Sequence, residues 1–273
     1  MNIGKLIRLN RIFSHPSGRL CSVAVDHFIG YGQGLPAGLR HMQVTLAEVA
    51  NAQPDAVTMM KGIALKAWQP YAGKIPLILQ STIVRPDDTA NETLLTVEEA
   101  VRLGADGIAV ACFVRGPSEA SHLRMVADMV RQAAPFDLPV ICHIYPRSQA
   151  SGYTQVSFAP EDIAWAVHCA MELGVDVIKT PYCGDIPSFA QIVTDAPTPV
   201  VVAGGPQQAT FEAALTMIAE AIAGGARGAT IGRNVWGFGQ TTAAVKAFKA
   251  VIHDQRTPQQ AMVEAGYINT LLA

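Results

Sequence analysis

Charged residues are scarce in this chain. They make up 15% of its 273 residues, while hydrophobic residues make up 50%; globular domains usually carry about 25% charged residues. The formal net charge is only -2, and no stripe of arginine and lysine occurs, so nucleic acid is not an expected partner. The composition predicts either a large core or a surface that other subunits of a homo-oligomer partly cover.

Long apolar runs, an export signal and paired cysteines are also missing. No apolar run approaches the roughly 18 residues of a membrane-spanning helix, and charged residues interrupt the apolar pattern of residues 1–11. The five cysteines form no Cys-x-x-Cys pair, and most lie in apolar strand or helix patterns. We therefore expect a cytoplasmic protein with reduced thiols and no membrane partner.

Short β-branched runs alternate with amphipathic stretches along the whole chain. This alternation, without a linker or a change in composition, predicts an α/β protein with a single (β/α)8 TIM barrel over residues 1–273. A C-terminal helical extension, Pro258–Ala265, follows the barrel, and an open doubly wound sheet is the alternative. The predicted strands are Leu20–Asp26, Ala56–Met60, Leu77–Gln80, Gly107–Ala111, Val140–Tyr145, Val175–Lys179, Val200–Ala203 and Ala229–Ile231.

Reactive side chains follow several of these strands. The active site of such a barrel lies at the carboxyl ends of its strands, and strand alternation predicts that Asp26, His143, Tyr145 and Lys179 face the interior. His27 should then point elsewhere. A buried lysine favours the neutral amine, which attacks carbonyl carbons to form Schiff bases; a lysine that reaches the rim and pairs with an anion is the other interpretation.

Two glycine-rich turns follow the seventh and eighth predicted strands. Gly204 and Gly205 follow the first of them, and Gly232 and Arg233 follow the second. In barrels these two loops often bind phosphate through backbone N–H groups, although ordinary turns also use glycine. We expect a phosphate site here.

The chain shares a set of short motifs with one aldolase family. The motifs are Val25-Asp26-His27, Met60-Lys61-Gly62-Ile63, Tyr145-Pro146-Arg147, Ile178-Lys179, Ala203-Gly204-Gly205-Pro206 and Ile231-Gly232-Arg233-Asn234. In this order, from Gly4 to about Phe248, the chain resembles the archaeal-type class I fructose-bisphosphate aldolases, within the wider deoxyribose-phosphate aldolase group. The resemblance implies a multi-subunit enzyme that needs no metal and no other cofactor.

The resemblance also implies roles for individual residues. Lys179 is similar to the Schiff-base lysine, Tyr145 to the tyrosine that moves protons, and Asp26 to the aspartate beside the reacting carbons. Gly204, Gly205, Gly232 and Arg233 match the phosphate cradle. Lys61, His143 and Arg147 are further candidates for substrate binding, with Lys61 as a cation that would lower the pKa of Lys179.

Departures from the family's motifs leave the substrate open. Phe28 follows Asp26-His27 where relatives usually have glycine, and Tyr31 adds a second aromatic ring to the first loop. Cleavage or formation of a phosphorylated ketose is the expected reaction, with fructose 1,6-bisphosphate as the default substrate. The alternatives are thiolase-like acyl transfer from a phosphorylated diketone and a non-catalytic barrel that binds a sugar phosphate.

Overall fold

The computed structural model describes residues 2–29, 34–148 and 154–268. Helices follow most of the strands, as the alternating sequence pattern predicts. The strands are β1 (Leu20–Ala24), β2 (Ala56–Met60), β3 (Leu77–Gln80), β4 (Thr82–Val84), β5 (Asn91–Thr93), β6 (Gly107–Val114), β7 (Val140–Ser148), β8 (Gln155–Val156), β9 (Val177–Thr180), β10 (Val200–Ala203) and β11 (Gly228–Ile231). The helices are α1 (Ile3–Ile12), α2 (Met42–Asn51), α3 (Lys61–Ala67), α4 (Val97–Arg102), α5 (Glu119–Ala133), α6 (Pro160–Glu172), α7 (Ile186–Thr194), α8 (Phe211–Ala223), α9 (Arg233–Trp236), α10 (Thr241–Asp254) and α11 (Pro258–Glu264).

Eight parallel strands close into a barrel. Around the ring the order is β1, β2, β3, β6, β7, β9, β10 and β11, and β11 pairs again with β1. The pairing of β6 with β7 completes the closure. The predicted (β/α)8 barrel is confirmed, and α11 forms the C-terminal helical extension. Among the residues that the structure describes, no helix is both long and apolar enough to span a membrane.

The barrel interior changes from apolar to polar along the strands. Its lower layer is a separate hydrophobic cluster, and Ile12 of α1 closes it from below. Two residues further along β1, β2, β7 and β9, the inward positions carry Ser22, Thr58, His143 and Lys179. The outward positions between them are apolar and pack against the helices, as expected for strands that are covered on both faces. The lower-layer residues are Leu20, Ala56, Ile78, Ala109, Ile141, Val177 and Val201.

Two elements were not predicted from the sequence. Helix α1 covers the bottom of the barrel, where Leu9 and Phe13 pack against the lower layer. Strands β4 and β5 form an antiparallel hairpin between β3 and α4, which we call the arm (residues 82–93). The arm lies at the carboxyl ends of the strands, next to β6, so it forms part of the barrel mouth.

Several predicted boundaries differ from the structure. Strand β1 ends at Ala24, two residues before the predicted end, whereas β6 and β7 continue to Val114 and Ser148 because they stay paired above the barrel. The stretch Ile63–Tyr71 is divided into α3 and a 3-10 turn at Gln69–Tyr71. Pro70 in that turn has no N–H for a longer α-helix.

Candidate active site

A cavity of about 710 Å³ opens at the carboxyl ends of the strands. Its floor is the polar layer of the barrel interior, and its walls come from the arm, the first loop and the turns after β10 and β11. All four residues predicted from strand alternation to face the interior, Asp26, His143, Tyr145 and Lys179, line it. The lining includes Asp26, His27, Gln80, Arg85, Asp87, Phe113, His143, Tyr145, Lys179, Ala203, Gly204, Gly205, Gly232 and Arg233.

Lys179 lies on the cavity floor. Its strand β9 is held between β7 and β10, with Lys179 in register with His143 on one side and with Val201 on the other. The side chain is only 5% exposed. Burial lowers the pKa of Lys179, the charge of Asp26 raises it, and Arg233 lowers it again, with a net value of about 8. At pH 8 about half of the amine is therefore neutral.

Asp26 and His27 contact each other at the cavity wall. Nδ1 of His27 lies 3.2 Å from Oδ1 of Asp26. Burial alone would raise the pKa of Asp26, but the hydrogen bond and charge of His27 and the charge of Lys179 outweigh it, and the pKa falls to about 2. Asp26 is therefore ionised at neutral pH. The expectation that His27 points elsewhere was wrong, because β1 ends before Asp26 and alternation no longer decides the direction of His27.

His143 and Tyr145 follow one another on the inner face of β7. Burial lowers the pKa of His143 well below its usual value, and the charge of Lys179 lowers it further, so the imidazole is neutral at pH 7. Tyr145 lies one pleat nearer the cavity mouth. Its ring centroid is 5.8 Å from that of Phe113, the paired residue on β6. The phenol thus stands above the imidazole, on the strand next to Lys179.

The two glycine turns meet at one side of the cavity. Gly205 has φ +68°, a conformation that favours glycine. A Cβ at Gly232 would collide with the ring of His27, so the backbone there comes close to the Asp26–His27 pair. Arg233 lines the same wall. The structure therefore brings together all four residues predicted for the phosphate site.

Asn234 fastens these two turns to each other. Its amide donates to the carbonyl oxygens of Gly204 (2.7 Å) and Pro206 (2.9 Å), and its Oδ1 accepts from the backbone N–H of Gln208 at 2.8 Å. The side chain is 1% exposed. The sequence contained this residue in the Gly-Arg-Asn motif but gave no signal that its side chain spans both turns.

Lys61 lies outside the cavity. Its Nζ donates to Oε1 of Glu99 at 2.8 Å, the side chain is 39% exposed, and Lys61 is not among the lining residues. The cation that lowers the pKa of Lys179 is Arg233. The sequence-based expectation that Lys61 has this effect is corrected accordingly, because the pairing of Lys61 with Glu99 on α4 directs the ammonium outwards.

The guanidinium of Arg147 makes hydrogen bonds within the protein and does not line the cavity. Its guanidinium donates to the carbonyl oxygens of Arg115 (3.0 Å) and Pro86 (3.2 Å), to Asp88 (2.9 Å) and to Ser118 (2.9 Å). The side chain is buried. Arg147 thus ties the turn of the arm to the start of α5, and it is not among the residues that line the 710 Å³ cavity.

The arm contributes two charged residues that sequence reasoning missed. Arg85 and Asp87 both line the cavity. In the first loop, Phe28 packs against the core, whereas Gly30 and Tyr31 lie outside the described residues. Within the ranges 2–29, 34–148 and 154–268, no group of three or more His, Cys, Asp or Glu side chains is arranged to hold a metal ion.

Comparison with known proteins places this arrangement in a family. The family model described as "DeoC/LacD family aldolase" matches residues 20–237. The chain is 34% identical to "2-amino-3,7-dideoxy-D-threo-hept-6-ulosonate synthase" of Halobacterium salinarum, over 97% of each protein. It is also 34% identical to "Fructose-bisphosphate aldolase class 1" of Thermoproteus tenax, over 83% of this chain and 86% of that protein.

A solved structure agrees with this assignment. A Schiff-base-forming fructose-1,6-bisphosphate aldolase is 30% identical to this chain and has a TM-score of 0.79; the match covers 91% of this chain and 99% of that one. The similarity thus extends over the barrel that carries Lys179 and the glycine turns. The protein is an enzyme that acts on carbon–carbon bonds, and the chain belongs to the DeoC/LacD family of aldolases.

Proposed function

We propose that this enzyme cleaves or forms a phosphorylated ketose through a Schiff base on Lys179, with fructose 1,6-bisphosphate as the default substrate. The observation that carries the proposal is a buried lysine with a pKa of about 8. It faces the same cavity as two glycine turns and an arginine. A reactive amine on the floor and glycine turns with an arginine on the wall of the same cavity fit a ketone that carries a phosphate.

The chemistry begins with the neutral amine of Lys179. Its nitrogen attacks the ketone carbon, and the resulting carbinolamine takes up a proton and loses water to give a protonated imine. In cleavage, the carbon–carbon bond beyond the adjacent carbon breaks, and its electron pair moves into the imine to form an enamine. The hydroxyl on the departing carbon loses its proton, and that carbon leaves as an aldehyde. Protonation of the enamine and hydrolysis of the imine then release the ketone.

Tyr145 and Asp26 are proposed to assist this sequence. Tyr145 lies two residues after His143, which pairs with Lys179, on the same face of β7. There a phenol can exchange protons with the substrate. Asp26 is ionised, and its negative charge raises the pKa of Lys179. The same charge should stabilise the positive charge of the protonated imine. His143 is neutral and lines the floor of the cavity beside the amine.

The phosphate is proposed to bind at Gly204, Gly205, Gly232 and Arg233. Backbone N–H groups of the two turns supply most of the contact, and Arg233 adds a positive charge. Asn234 keeps the turns at a fixed separation through its three hydrogen bonds. Arg233→Ala should weaken competition by inorganic phosphate without abolishing Schiff-base formation; equal phosphate competition in the variant would contradict this placement.

A second candidate exists for the acceptor half of the substrate, which is the half that leaves as the aldehyde in cleavage. The Halobacterium relative, whose name denotes synthesis of an amino-bearing heptulosonate, matches over 97% of this chain, whereas the fructose-bisphosphate aldolase relative matches over 83%. A phosphorylated ketone joined to an amino-acid aldehyde is therefore a candidate reaction beside fructose 1,6-bisphosphate cleavage. A cytoplasmic location and a homo-oligomeric assembly stay predictions.

The experiment is turnover of a panel of ketose phosphates, measured as aldehyde release. Wild type should release aldehyde, Lys179→Met should not, and Lys66→Met should behave as wild type because Lys66 is an exposed lysine on α3. Formation of an acyl-CoA from a phosphorylated diketone and coenzyme A, without aldehyde release from any ketose phosphate, would indicate acyl transfer instead. No turnover of any ketose phosphate, with or without coenzyme A, would contradict the proposal.

A further inference from the structure

We propose that Arg85 selects the substrate by binding an anionic group on its acceptor half, the half that leaves as the aldehyde. This inference rests on the proposed aldolase function, and it adds a residue that determines specificity at the end of the cavity away from the phosphate turns.

The position of Arg85 follows from the strand order of the barrel. In the ring of eight strands, β3 stands opposite β10, with three strands between them on either side. The arm follows β3, and the first phosphate turn follows β10. A substrate whose phosphate lies at Gly204 and Gly205 and whose carbonyl lies at Lys179 therefore extends across the mouth towards the arm.

The guanidinium of Arg85 is only weakly engaged by the protein. Nη1 contacts Oγ1 of Thr89 at 3.4 Å, and Nη2 donates to the carbonyl oxygen of Ile29 at 3.3 Å. Nε is buried and has no hydrogen-bond partner among the described residues. Arg147, by contrast, has four contacts of 2.9 to 3.2 Å, so Arg85 has more donors to spare than Arg147.

The charges at this end of the cavity determine which anionic group of the substrate Arg85 would bind. A guanidinium presents paired donors that match a carboxylate or a phosphate. Asp87 lines the same end of the cavity, and hydrogen bonds from the side chain and backbone of Thr89 lower its pKa, so it stays ionised. A phosphate would meet Arg85 but be repelled by Asp87. An α-amino carboxylate would present an anion to Arg85 and a cation to Asp87, and we therefore expect it to be preferred.

The test measures kcat/KM for aldol synthesis with dihydroxyacetone phosphate as the donor. Three acceptors separate the sources of negative charge: glyceraldehyde is neutral, glyceraldehyde 3-phosphate carries a phosphate, and 2-amino-4-oxobutanoate carries an amino carboxylate. Wild type should prefer the charged acceptors. Arg85→Gln should lower kcat/KM for both of them by about 10- to 100-fold, the range for a lost hydrogen bond to a charged group, and should change glyceraldehyde by less than about twofold.

Two further variants distinguish the loss of the charge of Arg85 from a disturbance of the structure of the arm. Thr89→Val removes the hydroxyl that contacts both Arg85 and Asp87 but keeps the guanidinium, so the preference for charged acceptors should remain. Arg85→Lys should restore part of the rate with the phosphate acceptor. A preference that survives in Arg85→Gln but is lost in Thr89→Val would overturn the proposal.

Borohydride trapping with dihydroxyacetone phosphate alone tests the Schiff base on Lys179 separately from the role of Arg85. Arg85→Gln should trap the donor as wild type does. If wild type forms no adduct, the proposed function fails and this inference fails with it. If wild type is trapped but prefers the neutral acceptor, uses neither charged acceptor, or loses all three activities equally in Arg85→Gln, the inference about Arg85 alone is overturned.

Discussion

Burying the ammonium of Lys179 should cost this enzyme stability at neutral pH. The pKa of Lys179 falls from 10.5 to about 8 in the folded protein. Between these values the unfolded chain binds more protons than the folded one, so the free energy of unfolding rises with pH. The cost is fully present below pH 8 and disappears as pH approaches 10.5. At about 1.36 kcal/mol per pKa unit, the change between pH 7 and pH 10 amounts to about 2–3 kcal/mol.

Lys179→Met tests this cost directly, because methionine fills a similar volume without a charge. Urea unfolding of wild type and variant at pH 7, 8, 9 and 10 gives the difference in the free energy of unfolding at each pH. This comparison cancels the titration of groups that both proteins share. The stability of Lys179→Met relative to wild type should be greater at pH 7 than at pH 10 by about 2–3 kcal/mol. Lys66→Met should show no such trend, and a parallel pH dependence of Lys179→Met and wild type would refute the reasoning.

Three further predictions concern the reaction. The rate of Schiff-base formation should rise with pH, with a midpoint near 8. Asp26→Asn should move this midpoint to lower pH and Arg233→Gln should move it to higher pH. A shift of both variants in the same direction would contradict the assigned effects of the two charges. Tyr145→Phe should slow cleavage by about 10²–10⁴-fold while the imine still forms, so unchanged turnover would end its role. Activity should survive prolonged EDTA treatment; loss on chelation with recovery on adding zinc would mean that a Lewis acid replaces the imine.

The positions predicted best from sequence are those fixed by the pleat of a strand. Lys179, His143 and Tyr145 lie within β9 and β7, where alternation dictates which side chains point inwards. The glycine turns were found because barrels place their seventh and eighth loops side by side. Asp26 reaches the cavity although β1 ends at Ala24, and beyond that end alternation failed to predict the direction of His27.

The parts that sequence did not predict depend on contacts between distant residues. Lys61 turns away from the cavity towards Glu99, 38 positions later in the chain. Arg147 follows Tyr145 in a family motif, and that motif does not reveal that Asp88 and Ser118 occupy the guanidinium. The arm has only three-residue strands, too short for a periodic signal, so Arg85 could not be assigned to the cavity.

The most direct test of the central claim is the site of the covalent intermediate. Borohydride reduction in the presence of a ketose phosphate should add to the intact protein the mass of the trapped ketone (substrate or cleavage product) less one oxygen atom, and peptide mapping should locate it on Lys179. Lys179→Met should remain unmodified with its fold unchanged. An adduct on Lys61, or no adduct while the ketose phosphate is being turned over, would contradict the account.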